Sequence, residues 1–270
     1  MQAVQNGAVK IAEHLDALRR QGELMAAAAA AAGLAAAVPS CPSWQVKDLL
    51  RHTGYIHRWA ARHITESPRE VIDGPPETEI LRGGAPDEDL LDWFRTGHAA
   101  LVGTLAQADP AVECATFMPA PSPLAFWTRR QAHETAIHRA DAELATGAAP
   151  EYSADFAADG IDELIMGFGQ RRKYQAQAGP APGAGLLRVI AAGTSHAWSI
   201  EACGGHLQPR RETVAATADA ADAGCTVSGP ASGLYLYLWN RADAAAAHVT
   251  VTGAPVLLAS WQASVKIRWS

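Results

Sequence analysis

The 270 residues contain no cluster of basic side chains, no CxxC pair and no long unbroken apolar run. With a net charge of -6 and a sequence pI near 5.9, the chain has no electrostatic footprint for nucleic acid. Cys41, Cys114, Cys203 and Cys225 are scattered over both halves. That spread argues against a zinc finger or a disulfide framework and reads as buried or free thiols in a reducing cytosol. The most apolar stretch, Met25 to Val38, is nearly all alanine. It falls short of the roughly 20 apolar residues a membrane span needs. Glu13, Asp16 and Glu23 stand before it, where an export signal would carry a short basic leader. The expectation is a cytoplasmic protein with neither a membrane nor a nucleic-acid partner.

What is present is material for a core, 49% hydrophobic residues, in a length that suits two domains. Alanine is the best helix former, so the alanine run continues a first helix over residues 8–37, ended by Pro39 and Pro42. Ser43 is a plausible N-cap for a second helix, in which Leu49, Ile56 and Trp59 recur at helical spacing until Ser67 and Pro68. His52 falls on that stripe. A third helix is marked by Leu90, Leu91, Phe94, Leu101 and Leu105, and a fourth runs from Leu124 to Thr146 with Gly147 as its stop. Together they form an N-terminal all-α four-helix bundle, with a fifth amphipathic helix near 154–174 assigned to the same domain, residues 1–178. The segment QAQAGPAPGAGL, residues 175–186, reads as a linker. Beyond it, residues 186–270 form a smaller α+β domain. Leu187 to Ala191, Ala197 to Glu201 and His248 to Thr252 are strand-like and Gly253 to Trp261 is helical, while periodicity leaves Leu234 to Trp239 undecided.

The segment HETAIH, residues 133–138, is not a zincin motif, because His133 and His138 are five apart and point to separated sides of a helix. Glu134 and His138 are four apart and stack on one face, where two side chains of one helix can reach one ion. Asp141 lies a further turn along that face and could hold the ring of His138. A Glu/His pair at this spacing is usually an exposed helix pair, and a lone histidine on an apolar stripe is usually a hydrogen-bonded core residue. Taken together in a bundle, His52, Glu134 and His138 could converge as two imidazoles and a carboxylate, a set suited to a divalent metal such as Zn²⁺ with one position open.

Two blocks carry a resemblance. CPSWQVKDLLRHTGYIHRWA, residues 41–60, and RRQAHETAIHRADAELA, residues 129–145, resemble the ligand-bearing blocks of the mycothiol-dependent maleylpyruvate isomerase family, a branch of the DinB/YfiT-like metal-binding bundles. ADGIDELIMGF, WNR at 239–241 and VTVTGAPVLLASW are weaker matches that extend into the family's sterol-carrier-like C-terminal domain. The resemblance implies His52, Glu134 and His138 as metal ligands, a helical Leu234 to Trp239, and mycothiol as a low-molecular-weight thiol partner. It also implies a metal-bound thiolate attacking an electrophilic small molecule, giving either cis–trans isomerisation or S-transfer.

Other readings differ in class. A non-catalytic, metal-stabilised small-molecule binding module would show no turnover with a thiol, and a hydrolase would need a general base that the sequence does not identify. Arg241 is a candidate catalytic anchor for a substrate carboxylate, although a surface arginine is the commoner reading. Arg129 and Arg130 are weaker anchors, and Trp59, Phe126 and Trp127 could line a pocket but sit at spacings typical of core aromatics.

Overall fold

A computed structural model describes residues 2–171, 185–203, 206–215 and 223–265. Two compact units divide between Pro150 and Glu151. No helix among the described residues is long and apolar enough to cross a membrane.

The first unit is the expected bundle, made of α1 (Gln2–Ala32), α2 (Val46–Glu66), the single turn α3 (Glu77–Ile80), α4 (Leu90–Gln107) and α5 (Pro123–Ala145). Helix α1 packs along α5 and α2 along α4, and α1–α4 and α2–α5 contacts close the ring. Helix α1 ends five residues before the expected position, where Gly33 takes φ +81°, a left-handed conformation that glycine adopts without steric cost. Ser43 is not the N-cap of α2. That place is taken by Gln45, whose backbone N–H donates to Asp48 Oδ2 at 2.9 Å. Ser122 caps α5 by accepting from Ala125 N at 3.1 Å, with Pro123 in the first turn, where its missing N–H costs nothing. Met25, Ala26 and Ala29 of α1 join Trp44, Leu49, Leu50, Leu90 and Phe94 in one apolar cluster. Helices α1 and α4 approach closely at Gly22, where a Cβ would lie 2.2 Å from the His98 ring.

The second unit is α+β. A five-stranded sheet has the order β3-β2-β1-β4-β5, built from β1 (Gly185–Ala192), β2 (His196–Cys203), β3 (His206–Thr213), β4 (Cys225–Pro230) and β5 (Thr250–Gly253). Strands β1 and β4 are parallel; the other pairs are antiparallel. Helices α6 (Ala154–Asp162), α7 (Ala231–Leu238) and α8 (Pro255–Ser264) complete it. Leu187, Val189, Trp198, Ile200 and Val227 supply its buried apolar residues.

The helix expected over 154–174 becomes α6 followed by a π turn, Glu163–Gly167, and a 3-10 turn, Phe168–Gln170. It belongs to the second unit, not to the bundle. Trp239 Nε1 donates to Gly160 O at 3.3 Å, and Asp162 accepts from Trp198 at 3.1 Å and from Arg211 at 2.6 and 2.8 Å. The amphipathic pattern correctly signalled a helix with one face to bury, but could not say against what. The expected linker falls on residues outside the described ones, except Gly185 and Leu186, which begin β1. Leu234 to Leu238 is helical. Leu234, Tyr235, Leu236 and Leu238 are all buried, and a helix enclosed on most sides loses the one-sided pattern that periodicity detects.

Candidate metal centre

Helix α5 is the polar spine of the bundle. Of its 23 residues 17 are buried, including Arg130, His133, Glu134, His138, Arg139 and Asp141. Burying so many ionisable groups is costly unless they are paired or hold an ion. Antiparallel to α5, helix α2 brings His52 to the level of Glu134 and His138. Glu134 Oε1 stands 3.5 Å from His52 Nε2 and 3.2 Å from His138 Nε2. One nitrogen or oxygen from each residue lies within 4.8 Å of the other two, and all three residues are buried. Two ligands about 2.0–2.1 Å from a tetrahedral ion would stand roughly 3.4 Å apart, so these separations fit one divalent cation.

The remaining atoms of the three side chains are oriented by neighbours. His138 Nδ1 lies 2.9 Å from Asp141 Oδ2, and Asp141 Oδ1 accepts from Ser40 Oγ, in the turn that precedes α2. His52 Nδ1 lies 2.8 Å from Glu77 Oε1. A carboxylate at each Nδ1 favours the tautomer with its proton there and turns Nε2 inward as the free electron-pair donor. Arg130 Nη2 donates to Glu134 Oε2 at 2.6 Å, which leaves Oε1 facing the imidazoles. Glu134 Oε1 is fully buried with no hydrogen bond of good geometry among the described residues. In the protein interior such an oxygen calls for a cation or donor to satisfy it. The residues therefore fit the metal that the sequence led one to expect.

Electrostatics agree. Burial alone would raise the Glu134 carboxyl, but Arg130, His138 and His52 outweigh it and hold the group well below the usual carboxylate range. Burial lowers His52, whereas Glu134 and Glu77 raise it further, and the net value is about 9. A proton thus competes with any cation for His52 near neutral pH.

Residues 15–143 match the family model of the mycothiol maleylpyruvate isomerase N-terminal domain. By this stretch, the bundle is similar to the N-terminal domain of the mycothiol maleylpyruvate isomerase family. Two solved structures share its fold. One is a histidine-to-alanine mutant of the mycothiol-dependent maleylpyruvate isomerase, 15% identical with TM-score 0.62; the other is that isomerase itself, 17% identical with TM-score 0.58. Each likeness covers 90% of this chain and 92% of the other. No curated protein sequence matches the chain.

Of the residues singled out in the sequence, His52, Glu134, His138 and Asp141 come together. Arg241 lies in the second unit, half-buried just beyond α7, with its Nη1 donating to Trp239 O at 2.7 Å. Phe126 and Trp127 are core residues, packed ring to ring at 5.0 Å, and Trp59 adjoins Trp127 at 5.1 Å. Arg130, considered only as a weak substrate anchor, is instead the partner of Glu134. Their four-residue spacing on α5 was the available signal. Glu77 was missed, because nothing in the sequence marks a glutamate 25 residues away in a loop as the partner of His52. Ser40 was missed for the same reason.

Proposed function

We propose that this chain is a metal- and mycothiol-dependent enzyme acting on an electrophilic small molecule, either by cis–trans isomerisation of a maleylpyruvate-like substrate or by S-transfer. The observation that carries this reading is the convergence of His52, Glu134 and His138 on one buried point of a bundle whose residues 15–143 match the mycothiol maleylpyruvate isomerase N-terminal domain. A divalent ion such as Zn²⁺ held there would supply a Lewis acid that keeps an external thiol deprotonated at neutral pH. The protein's own part is positional. Asp141 and Glu77 fix the two imidazoles, Arg130 holds Glu134 ionised, and Trp44 lies beside both rings, with centroids 5.1 Å from His52 and 6.4 Å from His138. Two neutral imidazoles and one carboxylate leave a divalent ion with about one net positive charge, enough to favour an anionic sulfur ligand.

Cys114 and Cys225 are poor substitutes for the external thiol. Burial pushes the thiols of Cys114 and Cys225 up, away from the thiolate form that reacts. A mycothiol-dependent enzyme of this kind would work in the reducing cytoplasm. The test is turnover of maleylpyruvate, and of electrophilic S-acceptors, by purified protein with and without mycothiol. A variant with Cys41, Cys114, Cys203 and Cys225 replaced by serine is assayed alongside. Activity in both proteins that depends on added mycothiol is expected. Turnover without thiol, or a folded cysteine-free variant that stays inactive with mycothiol, would overturn the reading.

A further inference from the structure

The segment joining α2 to α4 is tied to α2 on both sides of its middle. On the outgoing side, Trp59 Nε1 donates to Ile72 O at 2.8 Å, and Ile72 N donates to His63 Nε2 at 3.0 Å. That bond makes His63 Nε2 an acceptor, so His63 Nδ1 carries the proton and donates to Trp59 O at 2.9 Å. On the returning side, Arg51 donates to Gly83 O at 3.1 Å, to Ala85 O at 3.4 Å and to Asp87 Oδ1 at 2.6 Å. Between these anchors the single turn α3 carries Glu77 to His52. Ile80, which is buried, and Leu81, which packs on the bundle's apolar cluster, seat the turn by apolar contact, and the polar anchors on either side add direction to that seating. What the anchoring achieves is delivery of one carboxylate to one ring nitrogen.

We infer that Glu77 is a positioning residue of the metal centre, setting how firmly the ion is held through the orientation of His52; this rests on reading His52, Glu134 and His138 as that centre. An imidazole can turn its ring over and can carry its proton on either nitrogen, and only one of these arrangements presents a lone pair at Nε2. His138 is fixed by Asp141, which lies on the same helix and is fully buried. For His52, the carboxylate at Nδ1 is Glu77, from outside α2. Glu77 comes from the anchored loop and keeps 26% of its side-chain surface exposed. The two histidines are thus backed by the same chemistry from unlike sources, one built into the helix and one brought by a strap.

The experiment measures Zn²⁺ affinity of the full chain by competition with a chromophoric chelator, for the parent, Glu77→Ala, Glu77→Gln and Glu79→Ala. Removal of the carboxylate should weaken binding about 10–100-fold, the usual cost of losing a partner that orients a ligand. Glu77→Gln keeps an acceptor oxygen without the charge and should fall between. Glu79 is exposed on the same turn, and its alanine variant should bind as the parent does. A purely structural role for Glu77 would lower helicity or thermal stability without altering the ion's surroundings. The electronic spectrum of the Co²⁺-loaded protein should therefore change in Glu77→Ala while helicity stays constant. Binding by Glu77→Ala within about twofold of the parent, with an unchanged Co²⁺ spectrum, would overturn this inference alone. A parent that binds no Zn²⁺ would overturn the metal centre as well.

Discussion

The interiors of the two units follow opposite rules. Buried residues of the sheet are chiefly apolar, with Leu187, Val189, Trp198, Ile200 and Val227 among the most enclosed. The bundle encloses His52, His57, His63, His98, Glu134, His138 and Asp141 to 7% exposure or less. Apolar burial stabilises wherever it occurs, whereas buried ionisable groups cost stability unless each is held by a partner. The sheet therefore reads as a scaffold, and the bundle has given up stability to arrange charges. The comparison can be broken at either end.

The largest effect is expected from the ligands. Single His52→Ala, Glu134→Ala and His138→Ala variants should lose bound metal by elemental analysis, and should lose activity beyond the 10–100-fold that supporting partners cost, while far-UV helicity persists. Glu134→Ala should also be the least stable of the three, because it removes the carboxylate to which Arg130, 2% exposed, donates. Breaking a buried pair in this way costs about 3–5 kcal/mol. Full metal retention by a triple variant would remove the site from His52, Glu134 and His138.

Next in size is the sheet. Trp198→Ala removes a ring that is 1% exposed and a donor to Asp162. It should cost about 3–5 kcal/mol in denaturant unfolding while the remaining folded protein keeps its metal. Loss of metal in proportion to stability would erase the distinction between scaffold and site.

Acid should act on the bundle more than on the sheet. Burial, with the nearby His98 adding to it, pushes His57 well below its ordinary 6.5, and burial likewise lowers His98 and His63. These rings are neutral in the fold, while in the unfolded chain they take up protons below about 6.5. Their contribution is therefore whole above 6.5 and is lost as the pH falls towards the lowered values, at up to about 1.4 kcal/mol per pH unit for each ring. Glu134 adds to this below about 4.5. His52 has the opposite sign: raised to about 9, it stabilises fully below 6.5 and loses that contribution as the pH rises from 6.5 through 9. Melting of chelator-treated protein across this range checks the signs, and His57→Gln should flatten the acid side.

Arg241→Ala should have the smallest effect. Losing its bond to Trp239 O costs about 0.5–1.5 kcal/mol and should leave metal content unchanged. A raised KM at constant kcat would give Arg241 the carboxylate-anchoring role expected from the sequence.

How much was legible follows the same division. Glu134, His138 and Asp141 share a helix, so fixed angular spacing revealed them, and the bundle supplied His52 through its place on an apolar stripe. Arg130 was visible by the same arithmetic and was passed over. Glu77 and Ser40 act across 25 and 101 residues through irregular backbone, where no period links position to direction. Helix α6 failed on its unit rather than its type, since amphipathicity identifies a face to cover and not the cover. Helix α7 was ambiguous because it is covered nearly all round.

The Ser40–Asp141 contact has a consequence for exchange of segments between relatives. The turn before α2 and the last turns of α5 carry one continuous hydrogen-bonded unit, Ser40 to Asp141 to His138, although a hundred residues separate its ends. A chimera crossing over anywhere between Val46 and Pro123 would inherit the hydroxyl from one parent and the carboxylate from the other. Such recombinants should fold as bundles yet differ in metal retention according to whether both parents contribute that pair.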